Sequence, residues 1–317
     1  MENIEQRKQQ ALIAQDFYLS HMSIADLSKK YHLSRYLITK GLDEAMETGL
    51  VDIKINAPLA RNYELEASLK KQFPVPNIYI LKDADNPNHN AENVIQFAAG
   101  QAQLLIEESH IVGLAWGATV FDMIDHCRST VRDDLTFTQF MGENMRYNSL
   151  AGSMRMVEKA ASKFNAHYVT MVGPLYMVND EGRQLLQQEP AVAPTFSVAS
   201  RMDCILTGIG TLASVDSISA WRNNKSAIFP GIDPNEIVGM LYGRPYDING
   251  TLLNQNDDKV LGVDMNTIMA VPRRLGVIKS KFKSRAALGA LRGGLLTDAI
   301  MDEAVANRIL MEANQTE

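Results

Sequence analysis

The sequence predicts two architectures in series: an N-terminal winged helix-turn-helix, then a larger α/β domain on a doubly wound, largely parallel sheet. Three observations predict it. Two short amphipathic helical patterns meet at a tight turn between Ser23 and Ile55. From Ile78 onward, apolar runs of strand length alternate with helical periodicity. Small-residue turns recur where strand candidates give way to helices.

An opening helix, roughly Glu5 to Ser20, carries Ala11, Leu12, Ala14, Phe17, Tyr18 and Leu19 toward a three-helix core. Ser23 then offers a hydroxyl to the backbone near Asp26, and Ile24, Leu27 and Tyr31 follow at helical spacing. His32 and Leu33 leave room only for a tight turn before Ser34, a second N-cap residue. Leu37, Ile38, Leu42, Ala45 and Met46 supply the apolar face of the next helix. Its other face carries Arg35, Tyr36, Thr39 and Lys40, in the first two turns, where a recognition helix meets base edges in a major groove. Gly49 ends the helix, and Leu50, Ile53 and Ile55, with Lys54 among them, predict a wing strand.

From Arg7 to Lys54 the bases (Arg7, Lys8, Lys29, Lys30, Arg35, Lys40, Lys54) are matched by Asp16, Asp26, Asp43, Glu44, Glu47 and Asp52. Phosphate neutralisation supplies much of any DNA affinity, so one such module binds weakly, and a symmetric oligomer presenting several copies to repeated half-sites is expected. The net charge of −6 over 317 residues argues against a nonspecific nucleic-acid or membrane binder. Cys127 and Cys204 are expected to be reduced packing residues. The histidines (His21, His32, His89, His110, His126, His167) lack ligand spacing, so neither a metal nor a cofactor is expected. Neither a signal-like apolar core nor a run of membrane-spanning length occurs, which predicts a cytoplasmic protein.

A linker is expected at residues 57–62, dividing a DNA-binding domain at 1–56 from a ligand-binding and oligomerisation domain at 63–317. A helix containing Leu65, Leu69 and Phe73 ends at Pro74 and Pro76, and Ile78 to Leu81 reads as a strand. A polar loop, Lys82 to Asn93, precedes a helix through Phe97, Ala98, Ala102, Leu105 and Ile106. Strand candidates then follow at Ile111–Ala115, Leu135–Phe140, Tyr168–Val172, Cys204–Gly208 and Gly276–Ile278, separated mostly by helical segments such as Ser149 to Lys163. In such sheets ligands sit at the carboxyl ends of the strands.

Two turns lie at those ends: Trp116-Gly117-Ala118-Thr119, and Gly208-Ile209-Gly210-Thr211. Exposed amides beside a helix N-terminus suit a phosphate. Neither turn is a Walker loop or a dinucleotide fingerprint. From Met265 to Thr297 the chain has no acid but holds Arg273, Arg274, Lys279, Lys281, Lys283, Arg285 and Arg292. Lys279, Lys281 and Lys283 stand between a strand and the helix Arg285 to Leu291, so at least one ammonium is expected at the same crevice.

These motifs carry a resemblance. Ser34-Arg35 with its helix, Leu50-Val51-Asp52-Ile53, Val112-Gly113-Leu114-Ala115-Trp116-Gly117, Gly208-Ile209-Gly210-Thr211, Tyr246-Asp247-Ile248-Asn249-Gly250 and Leu288 to Gly294 occur in the order found in SorC-type sugar-binding transcriptional regulators. The resemblance implies an effector domain similar to ribose-phosphate isomerases and glucosamine-phosphate deaminases, a phosphorylated-sugar effector, and tetramers whose affinity for operator DNA responds to that sugar. Ala118 stands where a hydroxyl residue or arginine is more usual, Met240 follows Gly239 near a usual acid, and Lys279-Ser280-Lys281-Phe282 replaces a small turn.

The expected DNA-binding residues are therefore Ser23, Ser34, Arg35, Tyr36, Thr39 and Lys40; the expected effector-binding residues are Gly117, Ala118, Thr119, Gly142, Gly208, Gly210, Thr211, Asp247, Lys281 and Lys283. A carbohydrate-operon regulator, not an enzyme, is the reading that fits. The rival, a phosphosugar isomerase or deaminase with a fused helical module, needs a general base, and Asp122, Glu143 and Asp247 lack acid–base partner spacing. The strand Leu135–Phe140 also lacks a lysine for a Schiff base with an open-chain sugar.

Overall fold

The computed structural model describes residues 4–51, 59–84, 89–144 and 153–315. The chain divides into two compact units, Met1–Pro58 and Leu59–Glu317.

The smaller unit holds α1 (Ile4–Tyr18), α2 (Ile24–Tyr31) and α3 (Arg35–Glu47). Ser23 caps α2 by accepting from the Asp26 amide at 3.2 Å, and Ser34 caps α3 by accepting from the Leu37 amide at 3.3 Å. The turn between them closes on Ser28. Its hydroxyl donates to the Leu33 carbonyl at 2.6 Å, while the His32 and Leu33 amides return to the Ser28 carbonyl. His32 adopts a left-handed φ of 55°, a strain of about 1–2 kcal/mol that the turn's hydrogen bonds offset.

Ile13, Ala14, Leu27, Ile38 and Leu42 form this unit's core. The expected apolar faces are corrected at their margins. Leu12 on α1, Leu19 just after it, and Leu37 and Met46 on α3 are exposed. Ile38, Leu42 and Ala45 repeat at four and three residues, and Leu37 lies about 100° around the helix from that stripe. Beyond Gly49 the Val51 amide returns to Ala45, but Ile53, Lys54 and Ile55 of the expected wing lie outside the described residues.

The larger unit starts with α4 (Tyr63–Gln72), β1 (Asn77–Leu81), α5 (Asn90–Glu107), β2 (Ile111–Leu114), α6 (Ala118–His126) and β3 (Thr136–Thr138). Next come α7 (Ser153–Phe164), β4 (His167–Val169), α8 (Asp180–Gln188), α9 (Ala193–Ala199) and β5 (Cys204–Gly208). Three short helices, α10 (Leu212–Asp216), α11 (Ser219–Arg222) and α12 (Lys225–Ile228), precede a hairpin of β6 (Gly239–Leu241) and β7 (Arg244–Tyr246). Helix α13 (Met265–Ala270), β8 (Arg273–Ile278), α14 (Ser284–Arg292), β9 (Asp298–Asp302) and α15 (Glu303–Gln315) complete it.

All pairings in the seven-stranded sheet are parallel, in the order β1-β9-β8-β5-β2-β3-β4. From β2 the chain runs outward through β3 and β4; from β5 it runs the other way through β8 and β9. The progression therefore reverses between β2 and β5, which opens a crevice at their carboxyl ends. Apolar layers cover both faces. Cys127 and Cys204 are buried there with thiols pushed up to about 12 by desolvation, which keeps them protonated.

Several expected boundaries shift. Leu135–Phe140 and Tyr168–Val172 contribute only β3 and β4, while β8 starts earlier, at Arg273. Sequence reasoning missed β9, whose three apolar residues stand between Asp298 and Asp302, and the hairpin β6–β7. Among the described residues, no helix is long and apolar enough to cross a membrane.

Candidate functional site

A cavity of about 390 Å³ occupies the crevice at the ends of β2, β5 and β8. Its floor is the β2–α6 turn. Gly117 takes φ 132°, a conformation reserved for glycine, and places no side chain over the start of α6. No side chain caps this helix, so first-turn amides at Ala118 and Thr119 face the cavity with the positive end of the helix dipole.

Lys283 approaches from the sheet's other half. Its ammonium donates to the Ile209 carbonyl at 2.6 Å. Burial, assisted by the charge of Lys279, lowers its pKa. An anion beside it would restore the stability of the charged form. Lys279 also lines the cavity but is already paired with Asp122 of α6 at 2.7 Å.

Of the expected effector residues, Gly117, Ala118, Thr119, Gly208, Gly210 and Lys283 line this one cavity. Gly210 contributes differently from the expected amide cradle: its N–H donates to the Met240 carbonyl at 2.9 Å and its carbonyl accepts from Met240, so it ties the turn to β6. Gly208 lets the two turns meet, since a Cβ there would stand 3.3 Å from Thr119.

Thr211, Gly142, Asp247 and Lys281 do not line it. Lys281 and Lys283 fall in one 3₁₀ turn, where positions two apart face about 240° apart, and Lys281 is exposed. Asp247 accepts from the amides of Asn249 and Thr251 and holds its own turn. Gly142 is a packing glycine whose Cβ would stand 2.5 Å from the Pro174 carbonyl oxygen. Thr211 starts α10 without a side-chain cap bond.

The acid-free tail is corrected too. Arg273 pairs with Asp298 at 2.7 Å and Arg285 with Glu312 at 3.4 Å. Arg274 is buried and donates to the carbonyls of Met269, Val271, Gly294 and Leu295. Most of these cations hold the fold together; Lys279 and Lys283 face the cavity.

The remainder of the wall is apolar and aromatic. Trp116 stands 6.1 Å from Trp221, and Trp221 meets Tyr176 edge-on at 5.0 Å. The buried Trp116 indole N–H has no acceptor among the described residues. Tyr176 donates to Gly243, Tyr242 to Leu295 and Thr207 to Gly208, all at backbone carbonyls. Among the described residues, no carboxylate, guanidinium or imidazole lines the cavity. Sequence reasoning missed Trp221, Tyr176, Asn144 and Ser214, which come from loops and short helices without a motif.

On the smaller unit, Arg35, Tyr36, Thr39 and Lys40 are exposed on α3, with Tyr36 73% accessible. Ser23 and Ser34 serve as helix caps. Leu37, 48% accessible, joins this face and was expected inside.

The sequence profile described as "Putative sugar-binding domain" matches residues 57–311. The chain belongs to this sugar-binding domain family. The resemblance to SorC-type regulators is borne out by other sequences. The sorbitol operon regulator of Klebsiella pneumoniae is 24% identical over 98% of this chain and 100% of its own length. An uncharacterized transcriptional regulator of Escherichia coli K12, YjhU, is 23% identical over 93% and 92%. The crystal structure of full-length SorC from Klebsiella pneumoniae has the same fold, with a TM-score of 0.75 at 22% identity, covering 96% of this chain and 98% of that one. These relatives of the sugar-binding family are named as regulators, not enzymes.

Proposed function

We propose that the chain is a DNA-binding transcriptional regulator of a carbohydrate-utilisation operon, controlled by a phosphorylated sugar in the cavity of its larger unit. One observation carries the reading: α6 amides and the desolvated Lys283 converge on a cavity that offers positive potential and no carboxylate among its described lining. A phosphosugar isomerase needs a general base there. Asp122 is engaged by Lys279, Asp247 holds a turn, and neither Asp122, Glu143 nor Asp247 lines the cavity.

In this reading residues 1–56 contact the operator, 57–62 link, and 63–317 bind the effector and assemble a cytoplasmic homotetramer. Ser23 and Ser34 position the helices, while Arg35, Tyr36, Thr39 and Lys40, joined by Leu37, read the groove. The test is fluorescence anisotropy on DNA from upstream of the chain's own gene, with and without a panel of sugar phosphates. Binding that one panel member changes, with no turnover of it, supports the reading. Arg35→Ala should weaken operator binding by roughly 5- to 150-fold, the equivalent of about 1–3 kcal/mol, while the melting temperature stays put. Unchanged affinity removes Arg35 from the interface.

A further inference from the structure

We infer that Leu37 reads the C5-methyl group of a thymine in each operator half-site. This inference rests on the DNA-binding reading of α3 and names the base that the helix requires.

A single exposed leucine is ordinary on a protein surface; this one is set apart by its place. Leu37 is the third residue of α3, and its amide donates to the capping hydroxyl of Ser34 at 3.3 Å. Recognition helices meet base edges with such first-turn positions. The Cα–Cβ bonds of a helix tilt toward its N-terminus, so Leu37 leans toward the end that enters the groove. It lies three residues from Lys40 and next to Tyr36, so a groove that takes Lys40 on this side takes Leu37 as well. The core of the smaller unit closes without it: Ile38, Leu42 and Ala45 are buried, whereas Leu37 stays 48% accessible.

The chemistry of the neighbours narrows what Leu37 can meet. Arg35, Tyr36 and Lys40 bring polar groups, and the two cations suit phosphates and the acceptor edge of guanine. The Thr39 hydroxyl is spent within the helix, donating to the Arg35 carbonyl at 3.1 Å. An isobutyl group set against the edge of a G·C pair or of adenine would bury donors or acceptors without partners, which weakens binding. In the major groove of unmodified DNA one base offers an apolar group of its own, the C5-methyl of thymine. Leu37 therefore selects thymine, and removal of that methyl removes the contact without altering any base pair.

The experiment uses the full-length protein and the segment of DNA upstream of its own gene that it protects in footprinting. That segment is prepared once with thymidine and once with deoxyuridine at every thymine position, and both forms are titrated by anisotropy with wild type and Leu37→Ala. Wild type should bind the uracil operator roughly 4- to 15-fold more weakly, the worth of one buried methyl in one or in two half-sites. Leu37→Ala should bind both operators alike and keep its melting temperature, since the side chain is half exposed. Single uracil replacements should place the loss at one thymine per half-site. Equal wild-type affinity for the two operators overturns the inference and leaves the DNA-binding reading standing. An equal loss in wild type and Leu37→Ala also overturns it, because the methyl groups then act elsewhere in the interface. Failure to protect any upstream DNA overturns the DNA-binding reading as well.

Discussion

Lys283 sets the electrostatics of the cavity, and its position makes the pH dependence of binding a signed prediction. Desolvation, with the Lys279 charge adding to it, lowers its pKa in the empty site. A bound phosphate favours the ammonium, so binding takes up a proton wherever the pH lies between the empty-site and bound-site values. Affinity is then full below the lowered pKa and falls as pH rises through it, before an ordinary lysine at about 10.4 would titrate. Below about pH 6 affinity falls again as the phosphate monoester gains its second proton. Lys283→Arg should abolish the alkaline fall and keep the acidic one, as read by titration calorimetry across pH 5–10 on the order of one pH unit apart. An unchanged alkaline limb would move the titrating group elsewhere. Lys283 was legible in the sequence because a cation between a strand and a helix in an α/β sheet stands near the ligand crevice. Lys281 was not separable from it, because only the 3₁₀ turn decides which of the two faces inward.

At the scale of elements, the turns with glycine divide into those that shape the cavity and those that pack the fold. Gly250, at φ 81°, belongs to the second kind: a Cβ there would stand 2.3 Å from the Gly289 carbonyl oxygen. Gly250→Ala should cost more than about 3 kcal/mol in denaturant unfolding, since backbone atoms on α14 have no room to yield. Asp247→Ala, which frees the Asn249 and Thr251 amides to water, should cost about 1 kcal/mol and leave sugar-phosphate affinity within about twofold. A large affinity loss with intact stability would return Asp247 to the binding site. Gly117→Ala is the converse case. Its φ of 132° with ψ 159° is strained for any side chain by about 1–3 kcal/mol, and the variant should lose phosphate affinity as the α6 amides shift. Two of the six motifs that carried the resemblance, Tyr246 to Gly250 and Leu288 to Gly294, meet in the fold. Gly250 sits against Gly289 and Gly293, and Tyr246 donates to the carbonyl of Ala286 on the same helix at 2.8 Å.

For the whole molecule, the sequence carried the fold class further than it carried the site. The alternation of apolar runs and helices pointed to the parallel sheet, and the three-helix pattern to the smaller unit, because burial on both faces of a strand leaves a continuous apolar run. It was silent on β9 and on the short helices that bring Trp221 to the cavity, where tertiary contacts rather than local periodicity decide the conformation. The nearly balanced charge of the smaller unit still governs the functional prediction. Operator affinity should depend steeply on protein concentration, because several copies must act together. The effector should change it by roughly 5- to 150-fold, the range of a coupling energy of about 1–3 kcal/mol. Anisotropy titrations at several protein concentrations, with sedimentation of the free protein, check both. A concentration-independent isotherm from a monomer would refute the assembly.

The reciprocal backbone hydrogen bonds between Gly210 and Met240, at 2.9 and 3.0 Å, join a cavity-lining turn to the hairpin β6–β7. The far strand of that hairpin runs directly into the turn seated on α14. The wall of the cavity is therefore joined to α14 by a short continuous stretch of chain: turn, hairpin, then helix. The hairpin thus bridges the turn after β5 to the glycine contact of Gly250 with α14.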